Sequence, residues 1–202
     1  MARLLLVRHG QSEWNASRRW QGWADPPLSA EGEAQAQAAA ARLAGEDLDV
    51  VVASDLRRAV QTAEVVAGIL GLGAVEQHRG LRERDVGDWS GLTREEIEER
   101  WPGAIEAWRA GTLDRPPNGE RDPSFVSRVV ATLERVALDH RGGNVLVVTH
   151  GGVIRAAERH CGAHGEPVAN LHGCWLDTVP LRAAGARVVL LEPDGSSPST
   201  SL

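Results

Sequence analysis

Short runs of nothing but apolar side chains, each ending abruptly in polar groups, constrain this chain more than any other feature. Leu4-Leu5-Leu6-Val7 stops at Arg8-His9-Gly10. Val50-Val51-Val52-Ala53 stops at Ser54, and Val145-Leu146-Val147-Val148 stops at Thr149-His150-Gly151. A run this short, with no polar alternation, is the signature of a strand buried on both faces. Arg187 to Leu191 and Leu176 to Leu181 extend the set, and Ala74 to His78 adds a sixth candidate. Between these runs the period becomes helical. Ser29 N-caps an alanine-rich stretch to Leu43, with Glu31 and Glu33 in its first turn. Asp55 to Leu70 carries apolar residues at helical spacing. Thr93-Arg94-Glu95-Glu96 reads as a capping box. Asp122-Pro123 opens a helix whose apolar face is Val126, Val129, Val130, Leu133, Val136 and Ala137, closed by Gly142-Gly143. A last helix is expected just after His150.

Buried strands alternating with helices define an α/β fold: a three-layer α/β/α sandwich around a mostly parallel central sheet. One domain is expected over residues 1–192, within which 87–122, helical and loop-like with no strand, forms a small lid insertion. The Ser-, Pro- and Gly-rich residues 193–202 are expected to be a flexible tail. With 202 residues, 42% hydrophobic and 25% charged, the chain can bury a core without disulfides. Its apolar runs are too short to cross a bilayer, and the N-terminus lacks a signal-peptide pattern, so a cytoplasmic protein is expected. A net charge of −6 argues against nucleic acid or an anionic membrane as partner. All 22 basic residues are Arg, which excludes Schiff-base and P-loop lysine chemistry. Cys161 and Cys174 read as free thiols.

In α/β sheets, ligands bind beyond the carboxyl ends of the strands. The polar groups there are Arg8-His9-Gly10, Ser54 with Asp55 to Arg58, and Thr149-His150-Gly151. Arginine grips phosphate oxygens with a permanent, forked charge, and a neutral imidazole can act as a nucleophile. Two histidines and two arginines together therefore suit phosphoryl transfer through a phosphohistidine. An acid must also protonate the leaving alcohol; Glu83 is the candidate, with Asp85 and Asp88 as rivals.

The block Leu6-Val7-Arg8-His9-Gly10-Gln11-Ser12-Glu13-Trp14-Asn15 resembles the signature of the histidine phosphatase superfamily, the phosphoglycerate mutase-like group. Gln21-Gly22-Trp23 to Ser29, Ser54 to Ala63, Glu83 with Gly87 to Leu92, and Val148 to Gly152 resemble its further blocks, in order. The resemblance implies that His9 is the nucleophile, that Arg8, Arg58 and His150 hold the phosphate, and that Glu83 is the proton donor. It further implies contacts from Asn15, from the backbone near Gln21 and Gly22, and from the N–H of Gly151. It implies no metal and no cofactor. Arg57 is expected to point away from the site. Chemistry adds that His9 must be neutral at its attacking nitrogen, with the other nitrogen donating to a backbone carbonyl. Glu83 must carry a proton, so an acid-leaning optimum is expected.

Gly87-Asp88-Trp89-Ser90-Gly91-Leu92-Thr93 and Pro116-Pro117-Asn118-Gly119-Glu120 are similar to the broad-specificity phosphatase branch, with Asn118 where another Gly is common. The expected function is hydrolysis of small-molecule phosphate esters. The alternatives are a cofactor-dependent phosphoglycerate mutase and a catalytically silent relative that binds phosphorylated ligands. Association state is left open, a homodimer included. His160-Cys161-Gly162-Ala163-His164 and His172-Gly173-Cys174 contain zinc-type ligands, but at no familiar spacing, and read as a loop. The seven Trp read chiefly as core, with Trp20, Trp23 or Trp108 as alternative pocket walls.

Overall fold

The computed structural model describes residues 2–163, 167–178, 181–183 and 188–190. The apolar runs are strands β1 (Arg3–Arg8), β2 (Val50–Ser54) and β4 (Asn144–Thr149); β3 is Glu76–His78. A single turn of helix, α1 (Glu13–Ala16), precedes α2 (Ala30–Leu43) and α3 (Arg57–Leu70). Then come α4 (Arg94–Arg100), α5 (Ala104–Arg109), α6 (Asp122–Asp139) and α7 (Gly151–His160). The sheet closes with β5 (His172–Thr178), β6 (Leu181–Ala183) and β7 (Val188–Val189).

Strand order is β3-β2-β4-β1-β5-β6, with β7 also on β5. β3, β2, β4 and β1 are mutually parallel; β5 runs antiparallel to β1 and carries β6 and β7 antiparallel to itself. The strand expected from Leu176 begins four residues earlier. His172 and Gly173 form no apolar run, but pairing with β7 and β1 places both in the sheet. The tail 193–202, Arg187, Leu191 and His164 lie outside the described residues.

Alternate side chains of each central strand enter opposite cores, which is why the runs carry no polar positions. Leu4, Leu6, Val145 and Val147 pack with Phe125, Val129 and Leu133 of α6 and Val153 and Ile154 of α7. Leu5, Val7, Leu146 and Val148 pack with Ala39, Ala40 and Leu43 of α2 and Ala59, Ala63 and Val66 of α3. These are the two faces of a three-layer sandwich. Phe125 joins the α6 face that the valine spacing marks, completing its first turn.

Residues 87–122 contain a single 3₁₀ turn, α4 and α5, with no strand. They have a core of their own around Trp89, Ile97 and Ile105. Trp20, Trp89 and Trp108 stack on one another at 5.3–5.5 Å between ring centroids, so these tryptophans serve packing. The capping box is present: Thr93 Oγ accepts from the Glu96 N–H, and Glu96 accepts from the Thr93 N–H. Asn118 has φ 57°, a conformation Asn tolerates better than most residues, and its amide donates to Asp88 at 3.0 Å. A glycine-type turn is thereby kept without glycine.

Candidate active site

Register brings the polar strand ends level. Arg8 pairs with Thr149 across β1 and β4, and Ala53 pairs with Val148 across β2 and β4. One step beyond those pairs lie His9, His150 and Ser54. The His9 and His150 rings meet edge-on, with centroids 5.2 Å apart. His9 is held by its backbone on two sides. Its N–H donates to Thr149 O at 2.9 Å, and its carbonyl accepts from the Asn170 amide at 2.7 Å.

Hydrogen bonds assign the His9 tautomer. Nδ1 lies 2.6 Å from the Gly10 carbonyl, and Nε2 lies 3.2 Å from Arg58 Nε. A carbonyl can only accept and a guanidinium can only donate. The proton is therefore on Nδ1, and Nε2 keeps its lone pair. Burial, then Arg58, then Arg8 push the imidazole pKa well below its usual value, against a smaller opposing effect of the Gly10 bond. The neutral, donor-locked imidazole is the form a nucleophile requires.

Arg58 leaves the first turn of α3 fully buried. Besides His9, it donates through Nη1 to Ala24 O at 2.8 Å and through Nη2 to Gly22 O at 3.0 Å. Three of its five N–H groups are engaged, and two remain to meet an oxyanion. Gly22 can offer that carbonyl because its backbone is left-handed, with φ 51°; a Cβ there would also meet the Val86 side chain at 2.7 Å. Arg8 donates to Val168 O at 2.7 Å. Burial pushes both guanidinium groups down to about 10, partly offset by the Glu83 carboxylate nearby. They stay charged at neutral pH. Thr62 ties the two motifs together, accepting from the Gly10 N–H at 3.1 Å and donating to Arg58 O at 2.7 Å.

His150, at the N-terminus of α7, lies with Nε2 2.8 Å from Ser54 Oγ. That hydroxyl also accepts from the Leu56 N–H at 3.3 Å. The other ring nitrogen, Nδ1, is buried with no hydrogen-bond partner among the described residues. A buried polar atom of this kind is costly to leave unpaired and marks a place for a polar ligand atom. Burial first, then Arg58, His9, Arg8 and Arg128, lower this histidine well below its usual pKa.

Glu83 reaches the same place. One carboxylate oxygen accepts from the Gly152 N–H in the first turn of α7 at 2.9 Å, the other from the Arg84 N–H at 2.8 Å. A Cβ at Gly152 would run into that carboxylate. The rival acids are engaged elsewhere: Asp85 accepts from the Gly87 N–H, and Asp88 from Asn118.

The structure thus brings Arg8, His9, Arg58, Glu83 and His150 together. Gly151 abuts the Arg8 side chain, and its N–H belongs to the open first turn of α7. Asn15 and Gln21, expected to contact phosphate or substrate, both bond to Ser12 through their side chains. Asn15 Oδ1 accepts from the Ser12 N–H at 3.1 Å, and Gln21 Oε1 from the Ser12 hydroxyl at 2.9 Å. Arg57 is exposed, its backbone N–H on Asp25. The sequence reading gave no role to Thr62, Arg128 or Asn170, named Ser54 only among the polar strand ends, and offered Trp23 only as a pocket wall. Ser54 and Thr62 lie inside a recognisable block, whereas nothing local marks Arg128 or Asn170. Cys174 is buried in the core, Cys161 ends α7, and no cluster of three metal-type ligands occurs among the described residues. Nor, among them, is any helix long and apolar enough to cross a membrane.

Two buried histidines and two buried arginines meet beyond the carboxyl ends of the parallel strands of an α/β/α sandwich, a donor set of the class that suits an oxyanion. The sequence matches the family model of the histidine phosphatase superfamily (branch 1) over residues 4–187, and the chain belongs to that family. It is 43% identical over 160 residues to a 2,3-bisphosphoglycerate-dependent phosphoglycerate mutase of Methylobacterium radiotolerans, covering 76% of each chain. It is 40% identical over 156 residues to a metal-independent phosphoserine phosphatase of Arabidopsis thaliana, covering 76% of this chain and 66% of the other. The fold matches the mycobacterial glucosyl-3-phosphoglycerate phosphatase solved with VO3 at a TM-score of 0.82 and 31% identity, covering 90% of this chain and 96% of that one.

Proposed function

We propose that this protein is a metal-independent phosphomonoesterase of small phosphorylated metabolites, with His9 as the nucleophile. The observation that carries the reading is the locked His9 ring, its lone pair on Nε2 facing the Arg58 guanidinium. That lone pair attacks phosphorus as the ester P–O bond breaks, and the leaving oxygen takes a proton from Glu83. Water then attacks the phosphohistidine, Glu83 takes the water's proton, and phosphate leaves with the His9 lone pair restored. Arg8, Arg58, His150 and the Gly151 N–H hold the phosphoryl oxygens throughout. Asn15 and the Gln21-Gly22 backbone border the substrate. The single domain covers residues 1–192, and residues 87–122 are its lid, selecting esters by their leaving group.

The test is a phosphate-release screen over sugar phosphates, phosphoserine, phosphoglycerates and nucleoside monophosphates, with and without EDTA and 2,3-bisphosphoglycerate. Phosphate release without the bisphosphoglycerate and untouched by EDTA is expected. His9→Ala should abolish both turnover and acid-labile label on the protein; near-normal activity in that variant would end this reading. The identity to mutases favours a second reading, in which another hydroxyl replaces water. Isomerisation of 3-phosphoglycerate that depends on the bisphosphate would establish it instead.

A further inference from the structure

Glu83 sits on irregular backbone. It follows a single 3₁₀ turn, Arg79–Leu81, and precedes another, Gly87–Trp89. Nothing in a strand or helix ladder fixes its carbonyls, and such groups need donors from elsewhere. One side chain on α6 supplies them. Arg128 donates through Nη1 to Gly80 O at 3.0 Å and Arg82 O at 2.7 Å, and through Nη2 to Glu83 O at 2.8 Å. Its Nε and Nη2 also donate to the two oxygens of Glu120, each at 2.7 Å. All five of its N–H groups are thus engaged, the full capacity of a guanidinium.

Glu120 is fixed in turn. Its N–H donates to Asp85 O at 2.8 Å, and its carboxylate accepts from the Asp85 N–H at 3.3 Å. Trp23 Nε1–H donates to the same Glu83 carbonyl at 2.8 Å, and the Arg128 guanidinium lies over the Trp23 and Phe125 rings. The bracket grips residues 80 to 85 by their backbone, leaving the Glu83 carboxylate to Gly152 and Arg84.

We propose that Arg128, clamped by Glu120, is a positioning residue for the proton donor Glu83, holding its backbone so that the carboxyl reaches the leaving oxygen beside His9. This rests on the acid role given to Glu83 above. Arg128 itself bonds to carbonyls and to Glu120, so it acts through Glu83. A misplacement of about 1 Å at a reacting group costs on the order of 10²-fold in rate. Lysine cannot replace the fork, having three donors on one nitrogen and no planar geometry.

The test compares phosphohistidine formation from phenyl phosphate with that from 2,4-dinitrophenyl phosphate, in single turnovers with enzyme in excess. Phenoxide leaves poorly and needs the acid; dinitrophenoxide does not. Glu83→Gln should slow the phenyl ester by roughly 10²–10⁴-fold and the dinitrophenyl ester far less. Arg128→Lys should reproduce that selectivity at roughly 10–10²-fold, with little change in vanadate affinity, because the phosphate grip is untouched. Where Arg128→Lys does not fold, Glu120→Gln, which frees the guanidinium without removing it, should shift the same ratio in the same direction. If both esters slow in proportion, Arg128 is only a structural staple and the proposal fails. If Glu83→Gln leaves the ratio unchanged, the acid assignment falls first and this role with it.

Discussion

Arg57 and Arg58 are neighbours in the chain and opposite in consequence. Arg58 is buried, with donors on Gly22 O, Ala24 O and His9 Nε2, whereas Arg57 is exposed. Arg58→Lys keeps the charge and loses the fork. It should lower kcat/KM on the best ester from the screen by roughly 10²–10³-fold, comparable to losing a preorganised oxyanion donor. Arg57→Lys should stay near the parent rate, so steady-state kinetics on the pair separates charge from geometry. The five central residues were legible in sequence because each stands where an apolar run ends or inside an ordered block. Arg128 was not. Its partners lie 45 to 48 residues away along the chain for the carbonyls, and no local pattern encodes such a bracket. The pairing of His150 with Ser54 was equally hidden, since the two lie 96 residues apart.

Among the elements, α7 shows how a helix start can serve a site rather than the helix. Gly152 is a poor helix residue, and alanine there should favour the helix by roughly 0.5–1 kcal/mol. Yet a Cβ at this position meets the Glu83 carboxylate, the free end of a side chain able to swing aside. Gly152→Ala should therefore leave thermal stability near the parent value while lowering turnover of acid-demanding esters by about 10²-fold. Equal losses in melting temperature and rate would contradict this separation. The strands of the parallel half were legible because two-faced burial leaves them uniformly apolar. The antiparallel flank was less so: β5 opens with His172 and Gly173, which enter the sheet only through pairing with β7 and β1. The core of residues 87–122 was visible as helix signals but not as packing, since Trp20, Trp89 and Trp108 are far apart in sequence.

Across the whole molecule, the site couples chemistry to stability through protons. His9 and His150 both have folded pKa values held well below 6.5, first by burial and then by the arginines around them. When the chain unfolds, both imidazoles regain their ordinary affinity. Below about pH 6.5 the unfolded state thus binds more protons than the folded state, so stability rises with pH in that window and is lost on acidification. Each imidazole contributes a slope that grows toward a limit of about 1.4 kcal/mol per pH unit as pH falls below that value, and nothing well above it, where both states are neutral. Urea unfolding between about pH 5 and pH 8 should show this slope, and His150→Asn should reduce it by one imidazole's share. An unchanged slope would mean that this histidine is charged in the folded protein, against its burial among arginines. The same burial and positive charge that cost stability in acid keep the His9 lone pair available at weakly acidic pH. A buried, arginine-lined pocket disfavours a protonated imidazole, so the neutral form of His9 is kept at the expense of acid stability.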